Sequence, residues 1–483
     1  MKSKKLSALF AVTCLFVLIA WLMVASVPAL AYPSKSLAGS WREDVNGWIF
    51  VHVEGKPFDM GYQRGYLTAP EIADAIEAYK YIAKNWGYPW DFYRVTAQKM
   101  WWPKMPAEFR QEIQGMAEGM KAKGYKVDWL DIVAANGRYD TEYYWDYLHF
   151  NNLPIPKDLG NFERKGDVLQ RLKDKRYGGG CSSFIATGDA TLTHEIVIGH
   201  NTWTSYVVAT GSVYNMILHM KPEKGHEILM EPQAFAIYSG RDWAINSAGL
   251  MESETTIPGM IKYYNPDGLA YFIRIRHAMQ YASSIDEFIS IMLNENNGAY
   301  SNDYLLGDAK TGEIAEFELG ALHYAITRTF NGFIGSSNYP VSAGIRLEDT
   351  GIYDWTDPSE SGNARYQRWQ QLKAQYYGQV TVELGKQFLA DHYDTYTQQW
   401  VPSDRTLCGH GETAIPSHPS DSVDGKVTSS SLALWMQTWA HWGHPCDTPF
   451  YAAPYLATHP EYSWQEPYLG DLVPGQWTLF SAP

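Results

Sequence analysis

Cysteine is scarce in this chain, with four residues among 483, at positions 14, 181, 408 and 446. That scarcity excludes a small scaffold held together mainly by disulfides, which uses cysteine far more densely. Charge is thin as well, at 19% of residues, and the 39 lysines and arginines are outnumbered by 53 aspartates and glutamates. A formal charge of −14 makes nucleic acid and anionic membrane surfaces poor partners, so no nucleic acid is expected. No Asn-x-Ser/Thr acceptor occurs, since Asn201-Thr202-Trp203 and Asn246-Ser247-Ala248 both miss the pattern, and N-glycosylation is thereby excluded. Internal repeats and low-complexity tracts are absent, which removes solenoids and long flexible linkers from consideration. Beyond the first 31 residues no segment is long and apolar enough to span a bilayer.

What is present begins with an export signature. Lys2, Lys4 and Lys5 precede an apolar run over 6–24, and Ala29-Leu30-Ala31 forms a small-x-small cleavage site before Tyr32. Residues 1–31 are therefore expected to be a signal peptide, or a membrane anchor if uncleaved, and the protein is expected outside the cell or in a periplasm. Removing the segment takes away three lysines and no acids, moving the charge from −14 to −17. It also takes Cys14, leaving three cysteines in an oxidising compartment. Cys408 and Cys446 share a C-terminal stretch and are expected to close a loop as a disulfide. Cys181 is then an unpaired thiol, either reactive or buried.

A hydrophobic content of 45% describes a globular chain of one large or two ordinary domains. Its 19 Trp, 34 Tyr and 18 Phe serve cores first and pockets second. Helices are predicted over 70–84, 106–121, 268–282 and 364–376, and from a capping box at Ser284 and Glu287 through 293. Phe109, Ile113, Met116 and Met120 mark one face of the second. Strands are predicted over 48–53, 181–186, 195–201, 213–220, 227–230, 243–245, 304–306, 313–319 and 323–327. The mixture favours an α+β layered fold over a regular βαβ series. A charged stretch over 165–176 leads into Gly178-Gly179-Gly180, an accessible backbone immediately before Cys181.

That placement has a chemical consequence. If the Gly180–Cys181 bond is cut, Cys181 carries both a thiol and an α-amine, which titrate unperturbed near ~8.5 and ~7.8, so the amine can take the thiol proton. No separate catalytic histidine is then needed. The same glycines let the thiol reach the preceding carbonyl for an N-to-S acyl shift. From these residues alone, a buried structural cysteine remains an equal reading.

Cys181-Ser182-Ser183-Phe184-Ile185, followed by Gly199-His200-Asn201-Thr202-Trp203-Thr204-Ser205-Tyr206, resembles the phospholipase B-like family of N-terminal-nucleophile hydrolases. Gly61 to Thr68, Glu254 to Ile257 and Asp424 to Thr428 are similar to further segments of that family. The resemblance implies a four-layer αββα sandwich in which a segment over 32–180 stays bound after self-cleavage and 181–483 forms the catalytic chain. More distant resemblance is to choloylglycine hydrolases and penicillin acyltransferases, whose pattern after the nucleophile is Gly-Arg-Asn-x-Asp. Here His200 stands for the Arg and Trp203 for the Asp, which argues against bile-salt cleavage and puts the polar support of Cys181 in doubt. Asn338 in Ser336-Ser337-Asn338-Tyr339-Pro340 matches their oxyanion asparagine, and Arg365 matches a later arginine.

The resemblance therefore implies Cys181 as nucleophile, Gly180–Cys181 as the cleavage site, and Asn338 with nearby backbone N–H groups as oxyanion donors. It also implies that His200 or Asn201 orients the amine, that Thr255 or Thr256 is a further donor, and that Arg365 holds Cys181 or a substrate anion. Each has a plainer reading: Asn338 as a turn cap, Arg365 as a solvated helix residue, His200 as a core histidine. No cofactor or metal is expected. The rival is a zinc site from Cys408, His410, His441, His444 and Cys446, weakened by irregular spacing and by the pull of an oxidising compartment toward a disulfide. A papain-like protease is disfavoured because Cys181 lies deep in the chain before a strand. The expected activity is hydrolysis of an acyl ester or amide through a Cys181 thioester, on a small acylated substrate such as a fatty-acyl amide or phospholipid. The alternative is a non-catalytic exported lipid- or glycan-binding protein.

Overall fold

The structure is a computed structural model that describes residues 36–162, 179–259, 262–350 and 354–483. The expected signal over 1–31 with Cys14, the charged stretch over 165–176 and Gly178 lie outside the described residues. Among the described residues no helix is long and apolar enough to cross a membrane.

Two sheets stack face to face. The first runs β1 (Trp41–Val45), β2 (Trp48–Gly55), β5 (Met216–Pro222), β6 (Ile228–Met230), β7 (Trp243–Asn246), β8 (Leu250–Thr256), β9 (Asn302–Asp308), β10 (Glu313–Leu319), β11 (Tyr324–Thr329). The second runs β12 (Gly332–Ser336), β3 (Gly179–Thr187), β4 (Val197–Ser205), β16 (Asp424–Ser429), β17 (Gln437–Trp442), β18 (Thr478–Ser481), with β15 (Ser420–Ser422) also on β4. A short hairpin, β13 (Tyr393–Asp394) with β14 (Gln399–Trp400), stands apart. Within the two sheets every pairing is antiparallel except β2 on β5.

The layers follow from alternation along each strand, since successive side chains face opposite ways. In β2, Trp48 and Phe50 turn inward and meet Ile185, Ile198, Ala440 and Phe480 of the second sheet, while Ile49, Val51 and Val53 face outward. The outward face is covered by α1 (Pro57–Leu67), α2 (Ala69–Asn85), α3 (Trp90–Thr96), α4 (Ala107–Ala122), α5 (Trp129–Asn136) and α6 (Arg138–Phe150). A short α7 (Tyr206–Gly211) joins β4 to β5, and α8 (Tyr271–Tyr281) and α9 (Ile285–Leu293) complete that cover. On the other side, Phe184, Phe333 and Val427 pack against Trp369 and Leu372 of α10 (Ser361–Tyr376) and Phe388 and Leu389 of α11 (Val382–Leu389). The order helix, sheet, sheet, helix is the αββα sandwich expected above.

Several local readings sharpen. Ser284 caps α9 as the capping box requires, its Oγ accepting from the Glu287 N–H. The glycine-punctuated segment after β2 is a helix, α1, because its glycines serve a close crossing with α4. A Cβ at Gly61 would stand 1.8 Å from the Glu112 carbonyl oxygen, and one at Gly119 would stand 2.2 Å from the Tyr62 carbonyl oxygen. The expected Cys408–Cys446 disulfide is not formed. Both are free thiols, and His410 Nε2 lies 3.5 Å from Cys408 Sγ and 3.3 Å from Cys446 Sγ.

Candidate active site around Cys181

Cys181 sits at the start of β3, where the antiparallel register sets it opposite Thr202, with Ser182 opposite Asn201 and Ser183 opposite His200. His200, nineteen positions after Cys181, thus lies across one hairpin from it, and the Gly-His-Asn-Thr-Trp block is the strand beside the thiol. Cys181 is 2% exposed and lines a cavity of about 480 Å³ together with Gly180, Thr202, Trp203, Arg241, Asp242, Asn338 and Arg365.

Three side chains grip its atoms. The Cys181 N–H donates to Asn338 Oδ1 at 2.9 Å. The guanidinium of Arg365 donates through Nη1 to the Cys181 carbonyl oxygen and through Nη2 to Asn338 Oδ1 at 2.9 Å, and lies 3.9 Å over the Trp203 ring. The Cys181 thiol donates to Asp242 Oδ2 at 3.6 Å. Gly180 is the residue this arrangement requires, because a Cβ there would lie 2.9 Å from Asn338 Oδ1.

Asn338 is fixed from behind. Its φ of +63° is left-handed, a conformation asparagine tolerates better than most. Its N–H donates to Thr255 Oγ1 at 3.1 Å and its Nδ2 to the Thr256 carbonyl at 2.8 Å, while Thr256 Oγ1 donates to Tyr300 Oη at 3.1 Å. Thr255 and Thr256 therefore brace Asn338. Asn201 is a bracket of another kind: Oδ1 accepts from the Ser182 N–H (3.0 Å) and Trp203 Nε1 (3.1 Å), and Nδ2 donates to the Leu389 (3.3 Å) and Leu407 (2.7 Å) carbonyls. With its amide so engaged, Asn201 ties β3, β4 and the loop after α11 together. Trp203 supplies the face on which Arg365 rests.

His200 is fully buried, with Nε2 3.0 Å from the Glu254 carbonyl and Nδ1 unpartnered. Burial, then the charge of Lys426, pushes its pKa well below the ordinary range, so the imidazole is neutral. One of its nitrogens lies within 4.8 Å of Cys181 Sγ and an Asp242 oxygen.

Sequence reasoning missed Asp242. The aspartate that distant relatives carry after the nucleophile is Trp203 here, and a carboxylate arrives instead from the residue before β7. Only the sheet stacking, with β8 packed on β3, brings the residue before β7 to the thiol; the one local signal is the positive φ of 64° at Asp242. Burial, then Asp242, pushes the Cys181 thiol well up, so the sulfur of the uncut chain keeps its proton. Burial, then Asp242, also pushes Glu254 well up, and burial raises Asp242 as well, opposed first by its hydrogen bond with Glu254. Beneath Thr202, Lys426 Nζ donates to Thr202 Oγ1 and Asp424 Oδ1 at 2.7 Å each and pairs with Glu231 Oε2 at 2.8 Å, which accounts for the Asp424 to Thr428 segment. Arg365, pushed down to about 10 by burial, stays charged at neutral pH.

A family model described as phospholipase B matches residues 52–323. An uncharacterized protein of Archaeoglobus fulgidus is 25% identical over 294 residues, covering 58% of this chain and 45% of its own length. Phospholipase B-like protein F of Dictyostelium discoideum is 30% identical over 122 residues, 24% of this chain and 22% of its own. Putative phospholipase B-like 2 of Rattus norvegicus is 28% identical over 178 residues, 34% of this chain and 30% of its own. The matched stretch thus spans less than half the length of each relative. Among solved structures, a mutant conjugated bile acid hydrolase from Clostridium perfringens aligns with 54% of this chain and 88% of its own, at 11% identity and a TM-score of 0.35.

Proposed function

Because this chain belongs to the phospholipase B family, we propose that it is an exported, self-processing hydrolase that breaks acyl ester or amide bonds through Cys181. The observation that carries this reading is the threefold grip on one residue: its N–H on Asn338, its carbonyl on Arg365 and its thiol on Asp242. A buried structural cysteine needs none of these, and Gly180 before it leaves room for them.

In processing, Asp242 takes the thiol proton and Cys181 Sγ attacks the Gly180 carbonyl carbon. The Gly180–Cys181 C–N bond breaks, the nitrogen leaves with a proton, and a thioester joins Gly180 to the sulfur. Water then cleaves that thioester, giving a Gly180 carboxylate and a Cys181 with free thiol and amine. In turnover the amine takes the thiol proton, the sulfur attacks the substrate acyl carbon, and the protonated amine returns that proton to the departing alcohol or amine. Water attacks the acyl-enzyme and the acid departs. Asn338 Nδ2 spends one hydrogen on Thr256 and keeps a second for the oxyanion.

The segment before the cut is built into the molecule. β2 pairs with β5 from Ile49↔Met216 through Gly55↔Pro222, and α1 to α6 share one core with the strands that follow Cys181. This supports an N-terminal fragment that stays bound. The relatives' names support phospholipid acyl esters, the chemistry accommodates amides equally, and the cavity offers Tyr139, Tyr143 and Trp355 beside Arg241 and Arg405.

The test is the mass of the purified protein and a panel of phospholipids and fatty-acyl amides. Two chains are expected, the larger beginning at Cys181, with Cys181→Ala remaining one chain and inactive. An uncut chain with full activity overturns the proposal. An uncut chain with no activity, binding lipid or glycan equally well as Cys181→Ala, favours a binding protein.

A further inference from the structure

Away from the cavity, four side chains converge whose chemistry the hydrolase reading does not use. One donor atom each from His392, Cys408, His410 and Cys446 lies within 4.8 Å of all the others. They come from three separate places: His392 follows α11, Cys408 and His410 lie on the loop before β15, and Cys446 follows β17. We propose that these four residues form a structural zinc site of the Cys2His2 type.

The distances fit a tetrahedral site around one ion. Zn–S bonds near 2.3 Å and Zn–N bonds near 2.0–2.1 Å place a sulfur and a nitrogen about 3.6 Å apart in a tetrahedral site. His410 Nε2 lies 3.5 Å from Cys408 Sγ and 3.3 Å from Cys446 Sγ. His392 brings one ring nitrogen to the same cluster and interacts with the Cys446 thiol. The tautomer of His410 is set for ligation, because Nδ1 stands 2.7 Å from Glu412 Oε1 and Nε2 is left facing the sulfurs. Glu412 is held in turn by the Tyr206 hydroxyl, which donates to Oε2 at 2.6 Å. A carboxylate behind a ligating imidazole is a recurrent support of metal sites. Two thiolates and two imidazoles in a tetrahedron select zinc among common divalent ions, and four protein ligands leave no open position, so the site is structural.

The other histidines of this region are engaged elsewhere. His444 has both nitrogens in hydrogen bonds, Nδ1 with the Thr448 carbonyl at 2.6 Å and Nε2 with Tyr206 Oη at 2.9 Å. His441 Nε2 is 2.9 Å from Asp447 Oδ1. The set therefore differs from the one the sequence spacing suggests: His392 joins it, and His441 and His444 do not.

The position gives the ion a purpose. Leu407, next to Cys408, offers the carbonyl that Asn201 Nδ2 bonds, and Asn201 Oδ1 holds the N–H of Ser182. Gly409 lies under Trp203, where a Cβ would come within 2.4 Å of Cζ2. Zinc would pin the loop that supports β4 behind the nucleophile.

Metal analysis of the full chain, purified from its native compartment without chelator, tests this. One zinc per chain is expected, retained in Cys181→Ala and His441→Ala and lost in His392→Ala and Cys446→Ser. Glu412→Gln should weaken zinc binding by about 10–100-fold. Cobalt exchanged into the wild-type protein should show the ligand-field bands of a tetrahedral thiolate site, a readout that stands even if the variants fail to fold. Zinc-free wild-type protein overturns the proposal, whether Cys408 and Cys446 are joined, with a mass lower by two hydrogens, or are both free to react with a thiol reagent.

Discussion

Replacing Asn338 by alanine isolates the group that joins the most parts of the site. Asn338 Oδ1 accepts from both the Cys181 N–H and Arg365 Nη2, and Nδ2 reaches the Thr256 carbonyl. Alanine leaves a buried N–H without an acceptor, which costs about 1–3 kcal/mol, and removes a charge-assisted bond worth about 1.5–3 kcal/mol. The two losses share one atom and do not add fully, so about 2–4 kcal/mol is the working figure. If that loss falls on the transition state of self-cleavage, conversion of one chain to two slows about 30- to 1,000-fold. The assay follows freshly made precursor by intact mass over time, with thermal unfolding measured alongside. Asn338→Asp keeps an oxygen for Cys181 and Arg365 but loses both Nδ2 hydrogens, the one on Thr256 and the one for the oxyanion, and is expected to cut about 100-fold or more slower than wild type. Wild-type cleavage by Asn338→Ala refutes the reasoning. If its melting temperature also falls, Asn338 is a packing residue and the grip on Cys181 has no chemical role.

Gly180→Ala brings a Cβ to 2.9 Å from Asn338 Oδ1, so precursor should accumulate in a time course although Cys181 is intact; unchanged conversion contradicts the close approach. Gly61→Ala forces α1 off α4, against a carbonyl 1.8 Å from the new carbon, and should cost about 1–3 kcal/mol or more in a urea titration. An unchanged midpoint refutes that crossing. Asp140 gives a pH dependence. Burial pushes its carboxyl up to about 6, while its Oδ1 accepts from Asn297 Nδ2 and the Tyr271 N–H. The folded state holds this proton more tightly than the unfolded, so stability falls as pH rises from about 4 to about 6 and is level above. A carboxyl carried across that interval changes stability by about 3 kcal/mol at most. Asp140→Asn should flatten that interval relative to wild type in denaturant titrations at stepped pH; equal slopes refute the assignment.

Local chemistry was legible wherever a residue's neighbours in sequence are its neighbours in space. The hairpin of β3 and β4 places the Gly199 to Tyr206 block against Cys181 through a short turn, and the capping box of α9 is a contact over three residues. Period-two patterning likewise exposed β2 to β7 and β9 to β11, nine of the eighteen described strands. β8 escaped because its sequence, Leu-Met-Glu-Ser-Glu-Thr-Thr, carries acids in positions that are buried. Burial and Asp242 push the carboxyls of Glu252 and Glu254 well up, an environment that a hydrophobic pattern does not register. The helix α1 was obscured because its glycines read as breaks until α4 is laid across them.

By itself the sequence determined a mixed α+β fold, through strand and helix periodicity, and the nucleophile to consider; the αββα layering and Asn338 and Arg365 as residues to watch came from short motifs that resemble a known family. Only the tertiary structure decided what supports the thiol and what becomes of the other two cysteines. Asp242 meets Cys181 across the interface of two sheets, and His392 meets Cys408, His410 and Cys446 from three loops. Spacing along a chain fixes distance only within a turn or a hairpin; beyond that, the stacking of the layers sets which charges and donors share a site.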